Sequence, residues 1–214
     1  MLNLSKIIIS LFLCGNVMAD TSIKLGAMIK DEMLDLNFAL DSKQEANGWQ
    51  REIESNFFYS DKMNNEGLLN GKLIFDFSGT RWEGTTHYIF AVGGYNFDRY
   101  RDNEERIVAG LGHGIKLLRT PTTKASWETS IANLNTDIGN EFILRNSLWF
   151  FYKVADKVSF TNKYLIESGD VEYVRNETYF NYQLTEKLKL SLGNVYTEDP
   201  ISDNVTTINL NFTL

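Results

Sequence analysis

Cysteine occurs once in 214 residues, proline twice and histidine twice; no run of Lys and Arg stands out, and no stretch approaches 18 consecutive apolar residues. Each scarcity excludes something. One cysteine, Cys14, leaves no disulfide framework. Two histidines exclude a metal centre built from several of them, and no metal or cofactor is expected. A net charge of −7 and a pI near 4.9, without a basic cluster, argue against nucleic acid as a partner. The short apolar runs exclude a transmembrane helix, which needs roughly 20 apolar residues. Scarce proline, 13% aromatics and an ordinary 23% of charged residues exclude disorder and low complexity. What remains is one folded domain's worth of chain.

The first residues read as an export signal. Lys6 is followed by the apolar block Ile7 to Cys14 and then by Val17-Met18-Ala19, the order of a cleaved secretory leader. Cleavage is expected after Ala19. That removes Lys6, no acid and the only cysteine, leaving 195 residues at a net charge of −8.

The remainder alternates with period two. Ile208, Leu210, Phe212 and Leu214 interleave with Thr207, Asn209, Asn211 and Thr213, which puts every apolar group on one face of a strand. The same alternation recurs in Leu188, Leu190 and Leu192, in Val158, Phe160, Tyr164 and Ile166, and in Ile107, Ala109, Leu111 and Ile115. Asn162 interrupts one apolar face, and Trp149 and Phe151 break one polar face. Polar turn segments separate the runs and contain both Pro121 and Pro200. The pattern predicts strands over 22–29, 33–41, 48–59, 66–77, 84–97, 104–118, 122–133, 140–153, 156–168, 171–184, 186–196 and 204–214.

Many of these strands exceed the usual soluble length of about 5–6 residues and match the roughly 9–11 needed to cross a bilayer at a tilt. The expected fold is therefore all-β: a single antiparallel up-and-down transmembrane β-barrel of twelve strands over 20–214, with ten strands the alternative. A soluble lipocalin-like barrel or sandwich is the competing architecture. Tyr59, Tyr88, Tyr100, Trp82, Trp127, Trp149, Tyr152, Tyr182 and Tyr196 lie toward strand ends, where aromatic girdles would sit. With both termini periplasmic, the connections after even strands are expected to be the short ones; Asn135 to Asn140 and Thr197 to Asp203 belong to the longer set.

Gly93-Gly94-Tyr95-Asn96-Phe97-Asp98-Arg99-Tyr100, the run Gly110-Leu111-Gly112-His113-Gly114, the turn Pro121-Thr122-Thr123-Lys124 and the closing Leu184 to Leu192 carry a resemblance. Over about residues 45–214 the chain resembles the salt-induced outer membrane protein family of Gram-negative bacteria. It departs from that pattern at Asp41 to Asn47 and in ending on Leu214. The resemblance implies an outer membrane β-barrel and supplies no catalytic residues.

Searching for chemistry returns little. Neither His87 nor His113 has a serine at the spacing used by outer membrane lipases, so no catalytic residue is assigned and no enzyme is expected. Asp98, Asp102, Glu104 and Glu105 supply acids for a protease-like rim, but acid-rich loops are ordinarily solvated faces. Gly110, Gly112 and Gly114 alternate in a strand and open no helix, which makes them a bend or room for a bulky neighbour instead of a phosphate loop. The expected lumen-lining set is Glu52, Glu54, Lys72, Asp76, Arg106, Lys116, Lys124, Glu128, Glu141, Arg145, Lys163, Glu167, Arg175, Glu177, Lys187 and Lys189. Seven acids and nine bases make no single-sign selectivity ring. Three functions fit: a narrow passive pore or salt-stress barrel for ions or small solutes, a closed structural or adhesion barrel, and a lipid-modifying enzyme. The expected partners are outer membrane lipids and lipopolysaccharide, with the barrel assembly machinery during biogenesis.

Overall fold

The computed structural model describes residues 20–30, 33–46, 49–59, 65–75, 86–98, 105–137, 139–170, 172–199 and 201–213. The expected leader, Cys14 and Asp76 lie outside them. The described strands are β1 (Asp20–Lys30), β2 (Met33–Ala46), β3 (Trp49–Tyr59), β4 (Asn65–Phe75), β5 (His87–Asp98) and β6 (Glu105–Arg119). They continue as β7 (Thr123–Thr136), β8 (Gly139–Ala155), β9 (Val158–Ser168), β10 (Tyr173–Gln183), β11 (Leu188–Asp199) and β12 (Ile201–Thr213). Each pairs antiparallel with its chain neighbours, so the topology is up-and-down. β1 also pairs with β12, from Ser22↔Thr213 to Ile29↔Thr206. Among the described residues no helix is long and apolar enough to cross a membrane.

The period-two pattern makes these strands because alternate side chains find opposite environments. Those environments are the reverse of an ordinary half-buried sheet. Leu111 is 73% exposed and Phe142 77%, and Ile131, Leu192, Phe180 and Ile208 are also exposed. Glu167 is 3% exposed, and Arg106, Ser130, Glu177, Asn181, Ser191, Thr207, Asn209 and Asn211 are buried as well. Polar residues inside and apolar residues outside are contrary to the usual partition.

The sheet is strongly curved with the polar face concave. Arg106 on β6 reaches Glu167 on β9, with Nη2 to Oε2 at 2.6 Å. Three strand spacings span about 14 Å along a flat sheet, and side chains standing parallel to one another could not close that gap. Curling brings them together.

Several connections are tighter than the sequence suggests. β7 ends at Thr136 and β8 starts at Gly139, while β11 ends at Asp199 and β12 starts at Ile201. The ladder consumes Asn135, Asn140, Thr197 and Asp203 as strand residues, pairing Asn135↔Asn140 and Thr197↔Asp203. Turn-forming residue types yield here to continued pairing, so the expected contrast between short and long connections does not hold for these two. At the opposite end, β6 to β7 turns over 120–122, where the Thr120 hydroxyl accepts from the Thr123 amide at 2.8 Å. Bulges at Lys116/Leu118 and Lys153/Ala155 fall beside the turns at that end.

Candidate functional site

Among the described residues, charged side chains converge on the concave face of β5 to β12. There, toward the start of β6 and the end of β9, Glu167 accepts from two arginines, Arg106 Nη2 at 2.6 Å and Arg145 Nε at 2.7 Å. Strand register explains the second contact, since Arg145 and Glu167 are direct cross-strand partners on β8 and β9. Arg106 also lies over the Tyr173 ring, 4.3 Å from its centroid, which adds a cation–π contact to the ion pair. Next along β10, Arg175 Nε donates to Glu177 Oε1 at 2.7 Å, two residues away on the same face.

Glu128 is held differently. Its Oε1 accepts from the Tyr88 hydroxyl at 2.5 Å and its Oε2 from the Ser147 hydroxyl at 3.2 Å. Tyr88 lies directly opposite Gly114, and Phe90 opposite Gly112. A Cβ at Gly114 would meet the Tyr88 ring, and one at Gly112 would meet Phe90, so both glycines make room for an aromatic neighbour as their alternation suggests. Uncharged groups continue the belt: Asn181 donates to the Thr161 hydroxyl, the Ser191 hydroxyl to Asn181, and Asn211 to Ser191.

The expected lining set divides accordingly. Arg106, Arg145 and Glu167 form one network, Arg175 pairs with Glu177, and Glu128 is held by Tyr88 and Ser147. Glu141 sits toward the edge, where Oε2 accepts from the Asp170 amide at 2.6 Å. Lys116 and Lys189 are half-buried, and Lys163 and Lys124 are exposed. Glu52 is the register partner of Lys72, and Glu54 of Asn70. Lys187 is a correction: it belongs to the turn 184–187 and is exposed, because β10 ends at Gln183 and β11 begins only at Leu188.

Two further readings change. The concave face is not uniformly polar, since Val108, Ala132, Leu134 and Ile143 form a buried apolar cluster on it. Trp149 and Phe151 share the face of Arg145 by alternation, with ring centroids 6.3 Å apart. Tyr88 and Trp149 therefore cannot belong to an outer aromatic girdle. Trp127, Tyr152 and Tyr182 do stand on the exposed face, toward the end with turns 120–122, 156–157 and 184–187. Asn162, which interrupts the exposed face, donates to Asn176 Oδ1 and the Thr178 hydroxyl, both at 2.8 Å. Among the described residues the arrangement offers charge pairing and hydrogen bonding. Among the described residues no group of three or more His, Cys, Asp or Glu could hold a metal ion.

Solved structures resemble this architecture. The NanC porin aligns with a TM-score of 0.61 at 12% identity, covering 91% of this chain and all of that one. The KdgM porin, solved in complex with disordered oligogalacturonate, aligns with a TM-score of 0.59 at 9% identity, covering 90% and 99%. At such identities the likeness speaks for the fold, an antiparallel up-and-down sheet similar to outer membrane β-barrels. No protein of curated function matches the sequence. A family pattern does match, over residues 31–214, and the chain accordingly belongs to the family described as "Protein of unknown function, DUF481".

Proposed function

We propose that the chain is a closed twelve-stranded barrel in the bacterial outer membrane, exported by its N-terminal leader, and that it serves as a narrow passive pore for ions or small solutes. The observation that carries this is the inverted sheet, with exposed Leu111, Phe142 and Ile131 on one face and buried Arg106, Glu167 and Glu177 on the other. An apolar outer band around a polar interior is how strands satisfy both lipid and backbone. The β1 to β12 pairing supports closure, because it leaves neither terminal strand with an open edge. Similarity to porins supports a transport role over catalysis.

A second reading has its own observation. The Arg106–Glu167 pair joins β6 to β9 across the interior, and Tyr88 and Phe90 fill space above the glycines. Those contacts favour a closed structural barrel. Single-channel recording separates the two: the mature protein, refolded in detergent and shown to be heat-modifiable, is added to planar bilayers. The pore reading expects discrete steps whose size or ion preference changes in Glu141→Gln and Arg145→Gln. Silence from the folded protein refutes it and leaves the closed barrel.

A further inference from the structure

His87 and His113 are 26 residues apart in sequence, yet the β5–β6 register makes them diagonal neighbours. His87 pairs with Ile115 and His113 with Ile89. Odd-numbered positions of β5 and β6 take the exposed face, and both imidazoles are exposed there. His87 Nδ1 lies 3.3 Å from His113 Nε2. The ring planes are 21° apart and the centroids 5.4 Å apart. That separation exceeds the nitrogen gap by about two ring radii, so the rings meet edge to edge with the two nitrogens facing. Two nitrogens bound at about 2.05 Å to one tetrahedral ion lie about 3.3 Å apart. The gap already has that width.

We propose that His87 and His113 form a bidentate site for a divalent transition metal of the zinc type, with water completing the coordination. As neutral rings they share one proton across the contact. Chelation needs both facing lone pairs, so the donor ring changes tautomer: the proton leaves the facing nitrogen and the distal nitrogen of the same ring takes one up from water. No proton is lost overall. The site lies within reach of water: Ile115, opposite His87, is itself opposite Trp127 on the exposed face. Arg119 Nη2 donates to the hydroxyl of Thr86, the residue before His87, at 3.3 Å. A tryptophan and a guanidinium beside the strand end mark the interfacial zone of a membrane-facing sheet. A bound ion would clip β5 to β6.

Untagged mature protein folded in detergent is titrated with Zn²⁺ by calorimetry and with Cu²⁺ by electron paramagnetic resonance. The expected result is one ion per chain and a copper spectrum with two nitrogen ligands. His87→Ala and His113→Ala should each weaken binding at least about tenfold, because losing one donor removes the effective-concentration advantage of the pair. His87→Cys should restore zinc binding through a thiolate. Heat-modifiability on gels confirms that each variant is folded. Wild-type binding no tighter than that of the double alanine variant, or single variants that bind like wild type, would overturn the proposal.

Discussion

Replacing Glu167 with glutamine keeps the shape of the side chain and deletes the one charge that two arginines share. The geometry sets the scale. Glu167, Arg106 and Arg145 side chains are 4%, 10% and 15% exposed, with contacts of 2.6 and 2.7 Å. At charge centres about 4 Å apart and an effective dielectric near 20, each pair is worth about 4 kcal/mol before desolvation is charged against it. Removing one partner from a buried pair typically costs about 3–5 kcal/mol, since the surviving charge stays buried and uncompensated. Here Glu167→Gln withdraws its charge from two guanidinium groups at once, so a loss within that range is expected. Denaturant unfolding in detergent micelles or lipid vesicles, followed by tryptophan fluorescence, measures it. Replacing all three residues together, Arg106→Met, Arg145→Met and Glu167→Leu, should recover most of the loss. If Glu167→Gln unfolds within about 1 kcal/mol of wild type, the triad is solvated and does not hold the curvature of the sheet.

Other outcomes follow from the same faces. Leu111→Arg, at a position 73% exposed, should lower stability in lipid vesicles by up to about 2–4 kcal/mol if the apolar face meets hydrocarbon; an unchanged value would place that face in water. Gly114→Ala should destabilise by about 1–3 kcal/mol by pushing the Tyr88 ring off Glu128, and adding Tyr88→Ser should relieve it. A double variant no more stable than Gly114→Ala would mean that the glycine serves something other than the ring. In the turn after β8, a 2.9 Å hydrogen bond from Lys153, aided by its charge, holds the Asp156 carboxyl below its ordinary range. A folded value below the unfolded one means that the bond's contribution is present at neutral pH and lost as pH falls through the folded value. Carboxyl ¹³C NMR should show a low midpoint that returns toward about 3.9 in Lys153→Ala, and a midpoint indifferent to that change would discount the bond.

Much of the architecture was legible because alternation is a local signal. Leu188 to Leu192 and Ile208 to Phe212 announce their faces within a few residues, and the strands fall close to the expected spans. Gly112 and Gly114 were readable as spaces for bulky neighbours, although nothing local says that Phe90 and Tyr88 fill them. Turn lengths were less legible. Asn135 to Asn140 and Thr197 to Asp203 have turn-like composition, yet pairing persists through them because each hairpin gains ladder bonds by closing later. The partners of Glu167 split along the same line. Arg145 is adjacent by register, whereas Arg106 becomes a partner only through the curl of the whole sheet, which no window of sequence contains. The histidine pair belongs with it: neither residue stands out alone, and the β5–β6 register sets the distance between them.

The Arg106–Glu167 contact is also a gauge of curvature. Backbone ladders tolerate a range of arcs, and a sheet of the same strands could lie flatter without losing a single cross-strand pair. A side-chain bridge from β6 to β9 tolerates one span only. Widening the sheet by duplicating a hairpin elsewhere would flatten the arc and pull the bridge apart. A lineage that enlarged this protein by hairpin duplication would therefore have to surrender the bridge in the same step.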